Sequence, residues 1–145
     1  METSYSDLAG ILGIRGSAGR TANPIQIIEQ IQRGLSLAAL HKVSGQILPG
    51  DAQFVFRIVP RASLARRKNK SSPLTADESS RLARLASVWT LAQSVWKDAE
   101  SARAFLFRSH PMLNGKKPID IVLMSELGAE LVRGILGRLM YGTAA

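Results

Sequence analysis

Apolar residues recur along most of this chain at the three- and four-residue intervals of a helix. Asn23-Pro24 reads as a helix start, with Asn as N-cap and Pro at the first helical position. Ile25, Ile28 and Ile31 then share one face until Gly34 stops the helix. Ser36 caps a second helix whose stripe is Leu37, Leu40 and Val43, ended by Gly45. After the Pro49-Gly50 turn, Asp51 caps a short helix holding Phe54, Val55 and Ile58, and Pro60 breaks it. A further short helix spans Arg61 to Lys68, with Leu64 as its inward anchor. Val55 and Phe56 have a strand's composition, but no second alternating run exists to pair with them.

Residues 69–74 read as a turn or linker. Thr75 with Glu78 three residues on is a capping box, and it opens the longest helix, along which Leu82, Leu85, Ala86, Trp89, Ala92 and Trp96 recur. Asp98 caps the next helix, with Ala102, Phe105 and Leu106 as its apolar positions, and His110-Pro111 ends it. Asn114-Gly115-Lys116-Lys117 turns into a short helix starting at Pro118. Ser125 caps the last helix, where Leu127, Leu131, Val132, Ile135, Leu136, Leu139 and Met140 form an apolar face wider than a minimal stripe. Residues 1–22, rich in Gly, Ser and Ala, show no sustained periodicity and are expected to be loosely packed or mobile. The pattern predicts an all-α chain.

Composition narrows the function classes. The 145 residues allow one compact domain or two small ones. Cysteine is absent, which excludes disulfides and thiolate metal sites, and the two histidines, His41 and His110, do not make a metal-ligand cluster. No cofactor is implied. The apolar stretch Leu8–Ile14 follows acidic Glu2 and Asp7 and is interrupted by glycines, so it does not read as a signal peptide, and no run of about 20 apolar residues suits a bilayer. A cytoplasmic location without membrane attachment is expected.

The net charge of +8 is uneven. Residues 1–70 carry ten Lys/Arg against four Asp/Glu, and residues 71–145 carry nine against seven. A basic front half joined to a nearly balanced back half suggests a module facing a polyanion, coupled to one with a different partner. The basic residues concentrate from Arg57 to Lys70, with no acid between Asp51 and Asp77. A short helix, a tight turn and a second helix with clustered arginines is the layout of a helix-turn-helix reader of DNA. Guanidinium groups suit that work because they bind phosphate bidentately and read guanine edges. Arg61, Ser63, Arg66, Arg67 and Lys68 are the candidate DNA contacts. The plainer alternative is a basic last turn that complements the helix dipole and touches nothing.

Catalysis has little support. Gly115-Lys116-Lys117 lacks the upstream glycine and following Ser/Thr of a phosphate loop. His110 sits in a loop, Asp98 and Glu100 are helix-start acids, and no nucleophile stands beside a base. Trp89 and Trp96, seven residues apart, belong to a core face or a dimer seam.

Specific segments also resemble a known family. The stretch Ile58-Val59-Pro60-Arg61-Ala62-Ser63-Leu64-Ala65-Arg66-Arg67 is similar to the Xre-like helix-turn-helix of the MbcA/ParS/Xre antitoxins, with Ser63 where threonine is usual. Farther on, Leu82-Ala83-Arg84-Leu85 and Ala102-Arg103-Ala104-Phe105-Leu106 match that family's toxin-binding domain, with Phe105 where tryptophan is usual. Leu113, Gly115, Pro118, Asp120, Glu126, Gly128, Ala129, Val132, Leu136, Tyr141 and Gly142 continue the match.

The resemblance implies a division into a flexible segment (1–22), a helix-turn-helix domain (23–70) and a toxin-binding and dimerisation domain (71–145). It implies a type II antitoxin that occludes the NAD pocket of a RES-domain toxin, represses its own operon at operator DNA, and dimerises within a larger hetero-oligomer with the toxin. Arg138, Tyr141, Gly142 and Thr143, beside the chain end, are the expected toxin contacts. The competing reading is a stand-alone transcriptional regulator whose back domain only dimerises.

Overall fold

The computed structural model describes residues 3–142, and every regular element among them is helical. In order these are α1 (Thr3–Leu12), α2 (Pro24–Arg33), α3 (Leu37–Ile47), α4 (Arg61–Lys70), α5 (Ala76–Trp96), α6 (Ala99–Phe107), α7 (Pro118–Met124) and α8 (Glu126–Met140), with short 3-10 turns at Ser17–Gly19, Phe54–Arg57 and Pro111–Leu113. Two compact units divide between Ala86 and Ser87, within α5.

In the first unit the caps act as their residue types require. Asn23 and Gln26 form a reciprocal capping box, the Gln26 amide donating to Asn23 Oδ1 at 2.8 Å and the Asn23 amide to Gln26 Oε1 at 2.9 Å. Gly34 ends α2 at φ +113°, where an added Cβ would stand 2.3 Å from the Leu74 carbonyl oxygen, so only glycine lets these segments meet. Beside it the Leu74 amide donates to the Leu35 carbonyl at 2.9 Å, and the Leu35 amide to Ser79 Oγ at 2.8 Å. These bonds tie the start of α3 to the start of α5. Leu40, Val43, Ile47, Ile58, Val59, Leu82 and Leu85 form the dry centre of the unit.

Four expectations change here. The N-terminal stretch is structured from Thr3: α1 packs on α3 and buries Ala9, Ile11 and Leu12, and Lys42 Nζ donates to the Gly10 carbonyl at 3.1 Å. Its helix contains Gly10 and several small residues, which hid it from periodicity. On α2 the inward residue is Ile27, whereas Ile25, at 62% exposure, and Ile28 face outward. Gly45 does not end α3, because Ile47 continues the buried stripe and one helical glycine costs only about 1 kcal/mol. The short helix expected after Asp51 is a single 3-10 turn, Phe54–Arg57, that buries Phe54 and Val55.

The second unit is built around Trp89, Ala92, Leu106, Ile119, Val122, Val132, Ile135 and Leu136, all fully buried. Asp98 caps α6, accepting from the Ser101 amide at 3.1 Å and the Ser101 hydroxyl at 2.7 Å. Those two bonds hold its carboxyl below the usual aspartate range. Ser125 Oγ accepts the Gly128 amide at 3.0 Å and opens α8. Gly128 is where α7 and α8 touch: a Cβ there would lie 2.1 Å from the Ile121 carbonyl oxygen.

Candidate DNA-binding and toxin-binding surfaces

The basic surface is carried by α4. Leu64 is buried and roots the helix in the first unit, which leaves Arg61, Arg66 and Lys68 exposed. Arg61 is exposed but already oriented: its Nη2 donates to Gln53 Oε1 at 2.8 Å, and its guanidinium carbon lies 4.0 Å from the centroid of the Phe56 ring. Arg66 is exposed and lies along Ser63, with Nη2 to Oγ at 3.4 Å. Lys68 is also exposed. By helical angle, Arg61 and Lys68 share one flank of the outward arc, and Ser63 and Arg66 share the other.

Arg67 takes a different position. It folds back on α5, with Nε 3.2 Å from Glu78 Oε1 and Nη2 3.5 Å from Oε2, and both side chains are largely buried. Glu78 completes the Thr75 capping box, accepting the Thr75 amide at 2.9 Å while its own amide donates to Thr75 Oγ1 at 3.1 Å. Burial alone raises the carboxyl pKa. The Thr75 bonds and the bond and charge of Arg67 outweigh it, so Glu78 sits below the usual glutamate range. The sequence grouped Arg67 with Arg66 and Lys68 because the three are adjacent. A helix sends neighbours about 100° apart, and Glu78 captures this one.

The second surface lies on α8. Its wide apolar face divides in two. Ala129, Val132, Ile135 and Leu136 are buried in the core, while Leu127, at 75% exposure, and Leu131 are exposed, as is Met124 at the end of α7. Leu127, Leu131, Gly134 and Arg138 follow one another on that outer face at helical spacing. Arg138 is half-buried, and its Nη1 passes 3.7 Å from where a Gly134 Cβ would be. Arg133 is held by Glu126 and reaches Ser87 Oγ at 3.5 Å. Tyr141 is 64% exposed, and Gly142 follows at φ +73°. Thr143 lies outside the described residues. The outward Met124, Leu127 and Leu131 were not among the sequence-derived contacts. For Leu127 and Leu131 the signal was the excess width of the α8 apolar face, which one buried stripe does not use.

Phe105, at the position where tryptophan was the expected residue, stands between Trp96 (centroids 5.1 Å apart) and His110 (5.9 Å, edge-on). His110 accepts the Met112 amide through Nδ1 at 3.2 Å and so shapes its own loop.

Comparison with known proteins fits both surfaces. Residues 26–87, which include α4, match the antitoxin Xre-like helix-turn-helix domain, and residues 91–142, which include α8, match the antitoxin Xre/MbcA/ParS C-terminal toxin-binding domain. The chain is also similar to a protein named Antitoxin Xre from Pseudomonas putida, 28% identical over 123 residues that cover 83% of this chain and 75% of the relative. With a helix-turn-helix module in front and a toxin-binding module behind, the chain belongs to the Xre/MbcA/ParS antitoxin family.

Proposed function

We propose that this chain is the antitoxin of a type II module whose toxin is a RES-domain, NAD-consuming protein, and that it represses its own operon in the cytoplasm. The observation that carries the toxin half is the outward apolar face of α8, within the segment matching a toxin-binding domain. Exposed leucines on a regular helix, followed by an exposed tyrosine, supply the apolar anchors that protein interfaces use. In this reading the Leu127–Leu131 face docks on the toxin. Arg138, Tyr141, Gly142 and Thr143 then reach its NAD pocket, where Tyr141 fills space and Gly142 allows close backbone approach.

The DNA half rests on the exposed cations of α4. Arg61, Ser63, Arg66 and Lys68 contact operator phosphates or base edges, and Arg67 holds the helix in place. Dimerisation of the antitoxin within a larger hetero-oligomer brings two such helices to one operator.

The test is co-expression with a RES-type protein encoded beside the chain, following cellular NAD. Preserved NAD with the chain and its collapse without it is the expected result. Equal loss in both cases would overturn the RES and NAD reading and leave the family assignment standing.

A further inference from the structure

Arg61 is the first residue of α4, and its exposed guanidinium is oriented before any partner arrives. Gln53 Oε1 accepts from its Nη2 at 2.8 Å, and the guanidinium carbon stands 4.0 Å over the centroid of the half-buried Phe56 ring. Both supports come from the turn that precedes α4, where buried Phe54 and Val55 anchor the backbone. The Gln53 amide donates to Asp51 Oδ1 at 2.8 Å, and the Phe56 amide donates to the Gln53 carbonyl at 3.1 Å. The two supporting residues are therefore held in place themselves.

The stability of α4 does not call for a cation at this position. The positive end of a helix dipole lies at its N-terminus, where an acid is favourable and a cation is not. The first turn of α4 holds no acid, and Pro60 supplies no side-chain cap. The support is also electrically neutral. An amide oxygen and an aromatic ring orient Arg61 without cancelling its charge, unlike the carboxylate that holds Arg67.

A guanidinium carries five N–H donors in one rigid plane, and Gln53 takes one of them. A phosphate accepts from many directions and has no need of a locked donor. Guanine offers O6 and N7 side by side on its major-groove edge, whereas adenine sets a donor beside its acceptor and so disfavours a group that only donates. Residues at the N-terminus of a recognition helix are the ones that reach base edges. Resting on the DNA reading of α4, we propose that Arg61 reads a guanine in the major groove. Gln53 and Phe56 are its positioning residues, and Arg66 and Lys68 hold phosphates whatever the sequence.

The full chain is used to select duplexes from a random-sequence pool. Affinity is then measured on the selected duplex and on copies with adenine in place of each guanine in turn. The expected result is a guanine whose replacement weakens wild-type binding by about tenfold to a hundredfold. Arg61→Ala binds the two duplexes alike. Gln53→Ala and Phe56→Leu lose most of the preference yet hold the adenine duplex as tightly as wild type, whereas a purely structural loss would weaken both duplexes equally. Arg66→Ala weakens both and keeps the preference. A guanine preference that survives in Arg61→Ala overturns the reader, and one that survives in Gln53→Ala and Phe56→Leu overturns their positioning role. Loss of the preference in Arg66→Ala overturns the division between base and phosphate contacts. A selected duplex with no such guanine overturns this inference alone, and a wild-type chain that binds no duplex overturns the DNA reading with it.

Discussion

The Nε of Arg67 on α4 lies 3.2 Å from Oε1 of Glu78 on α5, and that same oxygen accepts the Thr75 amide at 2.9 Å. One carboxylate thus caps α5 and fixes α4. Replacing Arg67 leaves a largely buried carboxylate with part of its bonding lost, so Arg67→Ala is expected to cost about 2 kcal/mol of stability. Arg66→Ala is expected to leave the melting temperature unchanged and, as a proposed phosphate contact, to lower the salt slope of DNA binding by about one unit. Thermal melts and mobility shifts at several salt concentrations separate the two. An Arg67→Ala variant as stable as wild type would remove the strut.

The same carboxylate sets a pH dependence. Its folded pKa lies below the unfolded value, so its contribution is fully present above the ordinary glutamate range and is lost as pH falls through the depressed value. The stability gap between wild type and Glu78→Gln should therefore close on acidification. A gap that stays constant from neutral to acid pH means the charge of Glu78 contributes nothing.

Trp89 is fully buried, and the Arg103 guanidinium lies 5.8 Å from its ring centroid. Trp89→Ala is expected to cost roughly 3–5 kcal/mol. Trp96 is only half-buried, against Phe105, and Trp96→Ala should cost about 1–2 kcal/mol. Chemical denaturation of both variants checks the order, and a larger loss at Trp96 would contradict the burial pattern.

Gly128 and Gly137 lie on one helix and should respond in opposite directions. A methyl group at Gly128 meets the Ile121 carbonyl, so Gly128→Ala is expected to lose at least about 2 kcal/mol. At Gly137 nothing stands within 4 Å of the added atom, and alanine is the better helix former there, by about 0.5–1 kcal/mol. Melting temperatures of the two variants give the signs directly.

The docking and neutralisation proposed for α8 and the residues after it can be tested separately. Leu127→Glu with Leu131→Glu changes only exposed positions, so the chain should melt as wild type yet fail to co-purify with its toxin. Deleting residues 141–145 should preserve co-purification and abolish rescue of cells expressing the toxin. Retained co-purification by the double-glutamate variant would remove the outward face from the interface, and full rescue by the truncated chain would remove the tail as the plug.

Local chemistry determined much of this protein from sequence. Asn23, Ser36, Thr75, Asp98 and Ser125 each start a helix where a short polar side chain can bond an amide two or three residues on, and the all-α class followed from periodicity. Family membership was legible for the same reason, since its motif residues lie in these local elements. Tertiary structure decided which of two apolar stripes faces inward. Ile25 and Ile28 were the regular choice on α2, but Ile27 is the one that meets the core. On α8 the apolar arc exceeded what one packing partner covers, and only the placement of α7 against Gly128 shows that Leu127 and Leu131 are the surplus. The separation of Arg67 from Arg66 and Lys68 was equally out of reach. It depends on Glu78, eleven residues away, and helix periodicity carries no information about a contact between two helices.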